Sequence, residues 1–194
     1  MEKSEIFTSI SERELVAQAQ QGDLGAFKQL YQLHRDATYN LIFHLLGRHT
    51  LAEDVLQTVF IKAYQALPQF RFEAKFISWL YRIAINECHN EQRRLADYVP
   101  LEVVLGTGEE LDTNPAPDQI HEQGQKQEII QAALLELPPI FREVVVLKYM
   151  EALSYEEIAT LLQCSTGTVA SRLNRALTQL EKSLMPLKKF LLQG

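Results

Sequence analysis

The sequence of 194 residues has little of several features, and each shortage excludes a class of protein. Its two cysteines, Cys88 and Cys164, are too few and too far apart for a disulfide framework, so we expect reduced thiols. Eight glycines and seven prolines leave long uninterrupted stretches, which favours helices over a turn-rich β fold. No stretch approaches the roughly 18 apolar residues of a membrane-spanning helix, and the N-terminus lacks the apolar core of a secretion signal. We therefore expect an all-α, cytoplasmic protein without membrane insertion.

Basic residues are not in excess either, because the formal net charge is −6. The acidity lies in one segment, since residues 1–95 hold eleven basic and eleven acidic side chains. Residues 96–125 hold seven acids and no lysine or arginine, and the remainder carries about one positive charge. Each end of the chain can therefore present a basic face to nucleic acid although the whole chain is acidic.

The acidic segment also divides the chain. It contains the run GTGEELDTNPAPDQ, whose glycine, proline, asparagine and aspartate are typical of a linker. On both sides, apolar residues recur at helical spacing. We predict two helical domains, 1–95 and 126–194, joined by a flexible acidic linker, 96–125.

Turn and capping residues divide the first domain into helices. The sequence Gln-Gly-Asp at 21–23 separates the first two helices, and Gly47 is a suitable end for the second. Thr50, followed three positions later by Glu53, is expected to cap the third helix. A loop, Phe70 to Lys75, then precedes a fourth helix.

This loop and the start of the fourth helix are crowded with aromatic side chains. The aromatic residues are Phe70, Phe72, Phe76, Trp79 and Tyr81, and the basic residues among them are Arg71, Lys75 and Arg82. Such a cluster is more often part of a hydrophobic core. Aromatic rings beside cations are also what single-stranded DNA binding needs, so the pattern leaves both interpretations open.

The second domain contains two predicted helices in close succession. Ser154 and Glu157 form a capping-box pair, and the short connection at 163–165 has the length that a helix-turn-helix requires. Tyr155 and the backbone amides at the start of the first helix suit a phosphate. The outward face of the second helix holds residues that can read base edges, namely Thr168, Ser171, Arg172 and Arg175. From the pattern alone, plain helix packing is the commoner explanation.

Motifs of metal and catalytic sites are missing. The adjacent Cys88 and His89 cannot easily chelate one ion from a helix, and the other histidines have no ligand spacing. No glycine-rich phosphate loop, nucleophile elbow or HExxH motif is present. We expect no metal, no cofactor, no catalytic residues and no enzyme activity.

Four stretches, in this order, resemble the extracytoplasmic-function (ECF) sigma factors of bacterial RNA polymerase over nearly the whole chain. They are GDLGAFKQLYQLH, LAEDVLQTVFIKAY, FRFEAKFISWLYRIAINECHNEQRR and LPPIFREVVVLKYMEALSYEEIATLLQCSTGTVASRLNRAL. The resemblance implies sigma region two in 1–95 and sigma region four in 126–194. It implies a subunit that binds core polymerase, through its β′ clamp helices and its β subunit, and directs initiation at promoter DNA. It also implies an anti-sigma factor as regulator.

The resemblance implies a role for three groups of residues. Polymerase binding is expected from one face of the third helix, with Phe60 as an exposed aromatic anchor: Asp54, Gln57, Phe60, Ile61 and Tyr64. Capture of the melted minus-ten strand is expected from the loop and the fourth helix: Phe70, Arg71, Phe72, Lys75, Trp79, Arg82 and Asn86. Recognition of the minus-thirty-five duplex is expected from the helix-turn-helix: Tyr155, Thr166, Thr168, Ser171, Arg172 and Arg175.

The chain departs from the family pattern at three positions. Phe72 and Gln163 stand where the family often has glycine, and Ala170 stands where lysine or arginine is common. The loss of one cation at Ala170 should remove a phosphate contact and lower the salt dependence of DNA binding. Two other classes remain open: an operator-binding homodimeric helix-turn-helix regulator, and an adaptor that binds only proteins.

Overall fold

The computed structural model describes residues 11–98 and 119–192, and all regular elements in these ranges are helical. The helices are α1 (Glu12–Gln20), α2 (Leu24–Leu46), α3 (His49–Ala66), α4 (Phe76–Tyr98), α5 (Gln119–Glu136), α6 (Pro139–Val145), α7 (Tyr155–Leu161), α8 (Thr166–Leu184) and α9 (Lys188–Leu192). Two short 3-10 turns, Leu67–Gln69 and Met185–Leu187, and one π-helical turn, Val146–Met150, connect them. The predicted all-α fold is confirmed. Within the described ranges, no helix has the length and apolar character to cross a lipid bilayer.

Helices α1–α4 pack as one bundle around apolar side chains spaced three and four residues apart. Leu30, Leu41 and Ile42 of α2 are fully buried against Val59 of α3 and Leu80 of α4. Burying an aliphatic side chain of this size contributes about 1.5 to 3 kcal/mol. The bundle therefore fixes the ends of α3 and α4, and with them the loop at 70–75.

The helix ends explain one success and one failure of the sequence analysis. Gly47 ends α2 as predicted, with a φ of 75° that glycine adopts without a steric penalty. Thr50 does not cap α3, because α3 begins at His49 and Arg48 occupies the capping position without a side-chain hydrogen bond. The chain re-enters a helix after only one extended residue, so Thr50 already lies in the first turn.

Helices α5–α8 form a second unit with its own buried residues. Leu134 of α5, Leu147, Ile158 of α7 and Val169 and Leu173 of α8 are at most 2% exposed. The helices on either side of the acidic segment are longer than predicted, since α4 continues to Tyr98 and α5 begins at Gln119. The predicted linker, 96–125, therefore overlaps both helices, and its part at 99–118 lies outside the described residues.

The two units are in contact through the C-terminal end of α2. The buried guanidinium of Arg142 donates hydrogen bonds to the carbonyl oxygens of Leu134, Leu135 and Leu137 in its own unit at 2.7 to 3.0 Å. It also donates to the carbonyl of Leu45 at 2.5 Å. Desolvation by burial lowers the pKa of Arg142, yet arginine stays charged in proteins. One cation thus satisfies the open carbonyls of two helix ends at once.

A second set of contacts surrounds this point. In the buried side chain of Gln131 in α5, Oε1 accepts a hydrogen bond from His44 Nδ1 at 2.7 Å, and Nε2 donates to the carbonyls of Phe43 and His44. A Cβ added at Gly47 would lie 2.3 Å from Leu135 Cδ1, so any other residue there would have to displace the Leu135 side chain. The seam between the units is therefore closely packed at the end of α2.

Two carboxylates of the second unit meet α4 of the first. Glu143 Oε1 lies 2.5 Å from His89 Nε2, and Glu151 accepts a hydrogen bond from the hydroxyl of Tyr81. The hydrogen bond with Glu143 raises the pKa of His89, against the opposing effects of burial and of Arg93. Burial raises the pKa of Glu151, which its bond to Tyr81 opposes. His89 and Glu151 therefore each bind a proton more tightly when the two units are in contact, which is the closed arrangement, than when the units are apart.

The contact between the units is therefore expected to weaken as the pH rises. Its contribution from His89 is complete below the ordinary histidine pKa of about 6.5 and is lost as the pH passes the raised value. Fluorescence energy transfer between dyes on the two units, followed from pH 6 to pH 9, should report increasing separation. His89→Gln should abolish most of this pH dependence. An unchanged pH profile in His89→Gln would contradict the assignment to this histidine.

Candidate nucleic-acid and protein interfaces

The loop at 70–75 places aromatic rings in a cleft with a volume of about 580 Å³. Trp79 and Phe72 are partly exposed, with ring centroids 5.2 and 5.1 Å from that of Phe70. Phe70, one of the residues expected to capture the minus-ten strand, lines the inner wall of the cleft; it is only 7% exposed and also packs on Phe76. Its position after the 3-10 turn directs the ring inward, where it supports Phe72 and Trp79. The aromatic cluster thus belongs partly to the core and partly to the cleft.

Cations surround this aromatic wall. The exposed side chains of Arg71, Lys75 and Arg82 line the cleft, whereas Asn86 is exposed one turn beyond Arg82 on α4. The guanidinium carbon of Arg13 in α1 lies 4.9 Å from the ring centroid of Phe72, a cation–π geometry. Such a cleft can stack an unpaired base while the cations bind phosphate oxygens.

Two residues of α1 support the loop, and the sequence analysis missed both. Besides Arg13, the side-chain amide of Gln20 donates to the carbonyls of Leu67 at 3.0 Å and Phe70 at 2.7 Å. These partners lie about 50 residues away in the sequence, so no local pattern could have indicated them. The first helix therefore fixes the conformation of the loop from outside it.

A groove of about 730 Å³ runs between α2 and α3 and carries most of the predicted polymerase-binding residues. Asp54 and Gln57 are exposed in it, and Ile61 and Tyr64 are 52% and 39% exposed. Leu24 of α2, 66% exposed, lies in the same groove and was not predicted. Solvent-exposed apolar side chains rimmed by polar ones are typical of a protein-binding surface.

The expected exposure of Phe60 is wrong. Its side chain is 5% exposed and lies at the floor of the groove, with its ring centroid 4.7 Å from that of Tyr31 and 6.5 Å from that of Phe27. Phe60 follows Leu56 by one helical turn and therefore shares its inward direction. The exposed aromatic residue of this helix is Tyr64, whose ring also contacts Phe27 at 4.9 Å.

The helix-turn-helix forms as the sequence predicts, from α7 and α8. Ser154 and Glu157 make the reciprocal capping box, with N–H···O distances of 3.1 and 2.9 Å. Helix α7 ends in a Schellman motif, in which the Cys164 amide donates to the carbonyl of Ala159 at 2.9 Å and the Gln163 amide donates to that of Thr160. The turn thus holds α8 in a defined orientation on α7.

The predicted base-reading residues share the outward face of α8. Thr166, Ser171 and Arg175 are exposed, whereas Arg172 and Thr168 are partly buried. The hydroxyls of Thr168 and Ser171 make local hydrogen bonds, to Ser165 Oγ at 2.9 Å and to the Thr168 carbonyl at 3.0 Å. At the start of α7, Tyr155 is 38% exposed.

One cation next to Tyr155 was not predicted. Lys148 Nζ lies 5.3 Å from the ring centroid of Tyr155 and donates to the carbonyl of Leu153 at 3.1 Å. Its ammonium therefore lies beside the phosphate-binding position that the sequence indicates at the start of α7.

Gln163 is expected to be strained, because it has a φ of 52° at the position of the Schellman motif that glycine usually occupies. The left-handed conformation costs a side-chain-bearing residue roughly 1 to 2 kcal/mol, although glycine also loses more chain entropy on folding. Gln163→Gly should therefore raise the free energy of unfolding by about 0.5 to 1 kcal/mol in urea titration. Gln163→Val, with a branched Cβ, should lower it. The reverse order of these two variants would contradict the assigned turn.

The cleft, the groove and the helix-turn-helix together define a class of protein: a helical, DNA-binding subunit with a separate surface for a protein partner. Sequence comparisons give the family. Residues 30–97 match the family described as Sigma-70 region 2, and residues 127–180 match Sigma-70, region 4. The RNA polymerase sigma-H factor of Pseudomonas aeruginosa is 34% identical over 189 residues, covering 94% of this chain and 98% of that protein. The ECF sigma factor SigW of Bacillus subtilis is 33% identical over 179 residues, covering 89% and 96%.

Solved structures agree. CnrH, in complex with the cytosolic domain of CnrY, has a TM-score of 0.67 and 27% identity, covering 90% of this chain and 97% of that chain. RpoE of Bartonella quintana, in complex with the anti-sigma factor NepR, has the same TM-score and identity, covering 82% and 96%. The chain belongs to the ECF sigma factors, which direct RNA polymerase to promoters.

Proposed function

We propose that the chain binds core RNA polymerase through the α2–α3 groove, captures a melted minus-ten base in the cleft at 70–75 and reads the minus-thirty-five duplex with α8. The observation that carries this proposal is the coexistence of two different DNA-binding devices in one chain. One suits single strands, because it offers rings and cations. The other suits a duplex, because a helix with outward arginines fits the major groove.

Trp79, which lines the minus-ten cleft, would stack on an extruded base, and Phe72 would support this contact from beside the cleft. Arg71, Lys75 and Arg82 would bind the flanking phosphates. Extrusion of a base costs a few kcal/mol, and stacking contributes about 1 to 3 kcal/mol per base, so one stacked base can offset the cost. Asn86, one turn beyond the cleft, would extend the contact along the strand.

In the helix-turn-helix, Arg172 and Arg175 would contact base edges, with Thr166, Thr168 and Ser171 beside them. Tyr155 would bind a phosphate at the start of α7, and the nearby Lys148 would add the charge. Each of the two DNA contacts is small. Binding to polymerase would tether both and raise their effective concentration, so that they act together.

The groove between α2 and α3 would receive the β′ clamp helices, with Ile61 and Tyr64 as apolar contacts and Asp54 and Gln57 as polar ones. Region four would contact the β subunit. Region two would then occupy 1–95 and region four 126–194. The chain would work in the cytoplasm, without bond chemistry of its own. An anti-sigma factor would regulate it, as the sigma factor RpoE of Bartonella quintana is bound by the anti-sigma factor NepR.

Size-exclusion chromatography with bacterial core polymerase tests this proposal. The chain should comigrate with core at a one-to-one ratio, whereas a homodimeric operator-binding regulator would not. Comigration without any promoter recruitment would favour the adaptor instead.

With holoenzyme, Arg172→Ala/Arg175→Ala should lose affinity for selected duplex promoters but keep core binding. Lys182→Ala, a basic residue in the last turn of α8, is the matched control and should leave promoter affinity unchanged.

A further inference from the structure

The cleft at 70–75 has a second wall that the proposed function does not use. This wall is formed by α7, whose first-turn residues Glu156 and Glu157, with Thr160 one turn later, line the cleft opposite the basic loop. Glu157 Oε1 lies 3.1 Å from Lys75 Nζ. Carboxylates therefore stand where the phosphates of a bound strand would be expected.

We propose that the free chain inhibits its own single-strand binding, because the acidic first turn of α7 occupies the cationic minus-ten cleft as an internal competitor for DNA. This proposal rests on the proposed function of the cleft. It assigns to Glu156 and Glu157 a role apart from the recognition face of α8.

The charge state of Glu157 fits this role. The Ser154 amide, foremost, and then the Lys75 ammonium lower the pKa of Glu157, so it is ionised at neutral pH. Oε2 of Glu157 accepts from the Ser154 amide and closes the capping box, whereas Oε1 accepts from Lys75 Nζ. An ionised carboxylate is the group that most resembles a phosphate to a lysine or arginine.

The acidic turn does not hold the units together by itself. An exposed pair such as Lys75–Glu157 contributes at most about 1 kcal/mol. Closure instead depends on the buried contacts around the end of α2, where Arg142 and Gln131 bind carbonyls of the first unit, and on the bond between Tyr81 and Glu151. The buried contacts between the units position Glu156 and Glu157, and these carboxylates occupy the cleft.

The closed arrangement is incompatible with promoter binding. The minus-ten and minus-thirty-five elements lie about 25 base pairs apart, which is roughly 85 Å at 3.4 Å per base pair. In the closed chain, the cleft and α7 are in direct contact. Binding of both elements must therefore separate the two units and remove Glu156 and Glu157 from the cleft that Arg71, Lys75 and Arg82 line.

Binding of a fluorescent, randomised 12-nucleotide single-stranded DNA to the full chain, without polymerase, tests the proposal by fluorescence anisotropy. Glu156→Gln/Glu157→Gln should bind about tenfold more tightly than the natural chain, because glutamine keeps the capping box but not the charge. The salt dependence should also steepen by about 0.7 for each cation released to a phosphate. The matched control, Glu128→Gln/Glu181→Gln, neutralises two exposed acids of the same unit away from the cleft.

The two pairs of variants separate the outcomes. Tighter binding and a steeper salt slope in the α7 pair alone support the proposal. Equal changes in both pairs, no change in either, or no binding by any chain would overturn it. Binding of the same preparations to core polymerase tests the proposed function separately. A chain that binds core polymerase but whose DNA affinity does not depend on Glu156 and Glu157 would contradict only the proposed self-inhibition.

Discussion

Replacing Arg142 with methionine is expected to lower the free energy of unfolding by about 3 to 5 kcal/mol, as removal of one partner from a buried charged network does. Four carbonyl oxygens lose the hydrogen bond from Arg142 at once, and methionine fills the space without replacing any of these bonds. Those of Leu134 and Leu45 keep one other donor each, the Leu137 amide and the Gln92 side chain. Because one of the four belongs to Leu45, the seam between the units should loosen as well. Urea unfolding, fitted for midpoint and slope, measures the loss.

Two further variants sharpen this expectation. Arg142→Lys keeps the charge but not the planar guanidinium that binds several carbonyls. Its free energy of unfolding should therefore lie between those of the natural chain and Arg142→Met. Arg175→Met, on the exposed face of α8, should change stability by no more than about 0.5 kcal/mol. If Arg142→Met were as stable as Arg175→Met, the carbonyl network would not contribute to the fold.

Replacing Ile61 and Tyr64 together with aspartate is expected to weaken binding to core polymerase by at least about a hundredfold. Central apolar residues of an interface contribute 2 kcal/mol or more each when they are hot spots, and 1.4 kcal/mol is a factor of ten. Both side chains lie in the groove and are more than one third exposed in the free chain. The fold should therefore tolerate the change, which circular dichroism and thermal melting would check.

The matched control for this prediction is Leu33→Asp. Leu33 is 58% exposed on α2 but does not line the groove. Its replacement removes one exposed apolar side chain and adds one negative charge, as each of the two changes in the groove does. Affinity for core, measured by biolayer interferometry, should stay within about twofold of the natural value. Equal losses in both variants would place the polymerase contact elsewhere on the bundle.

Much of the local structure was predictable, because its causes are local. The capping box of Ser154 and Glu157, the turn before α8 and the loop at 70–75 all depend on residues a few positions apart. The same reasoning failed for Thr50, because two cap positions compete at one helix junction and the chain uses the earlier one. It failed for Phe60 because adjacent helix residues point in different directions. Phe60 packs into the core, whereas the next residue, Ile61, is exposed.

The contacts between the two units were beyond sequence reasoning. Gln131 meets His44 across 87 positions, and Glu143 meets His89 across 54. Nothing in the neighbourhood of either residue indicates a distant polar partner. The glycine preference at Phe72 and Gln163 has a physical counterpart, since both have positive φ angles, 58° and 52°. The glycine that the family often has at these two positions therefore reflects a left-handed backbone conformation.

Run-off transcription with purified core polymerase and a library of promoter fragments tests the central claim most directly. We expect this chain to confer initiation on a defined subset of fragments that share a minus-thirty-five and a minus-ten element. Arg172→Ala/Arg175→Ala should relax the requirement for the minus-thirty-five sequence, and Trp79→Ala should impair opening at the minus-ten element. A chain that joins core polymerase but confers no promoter-specific transcript would contradict the account.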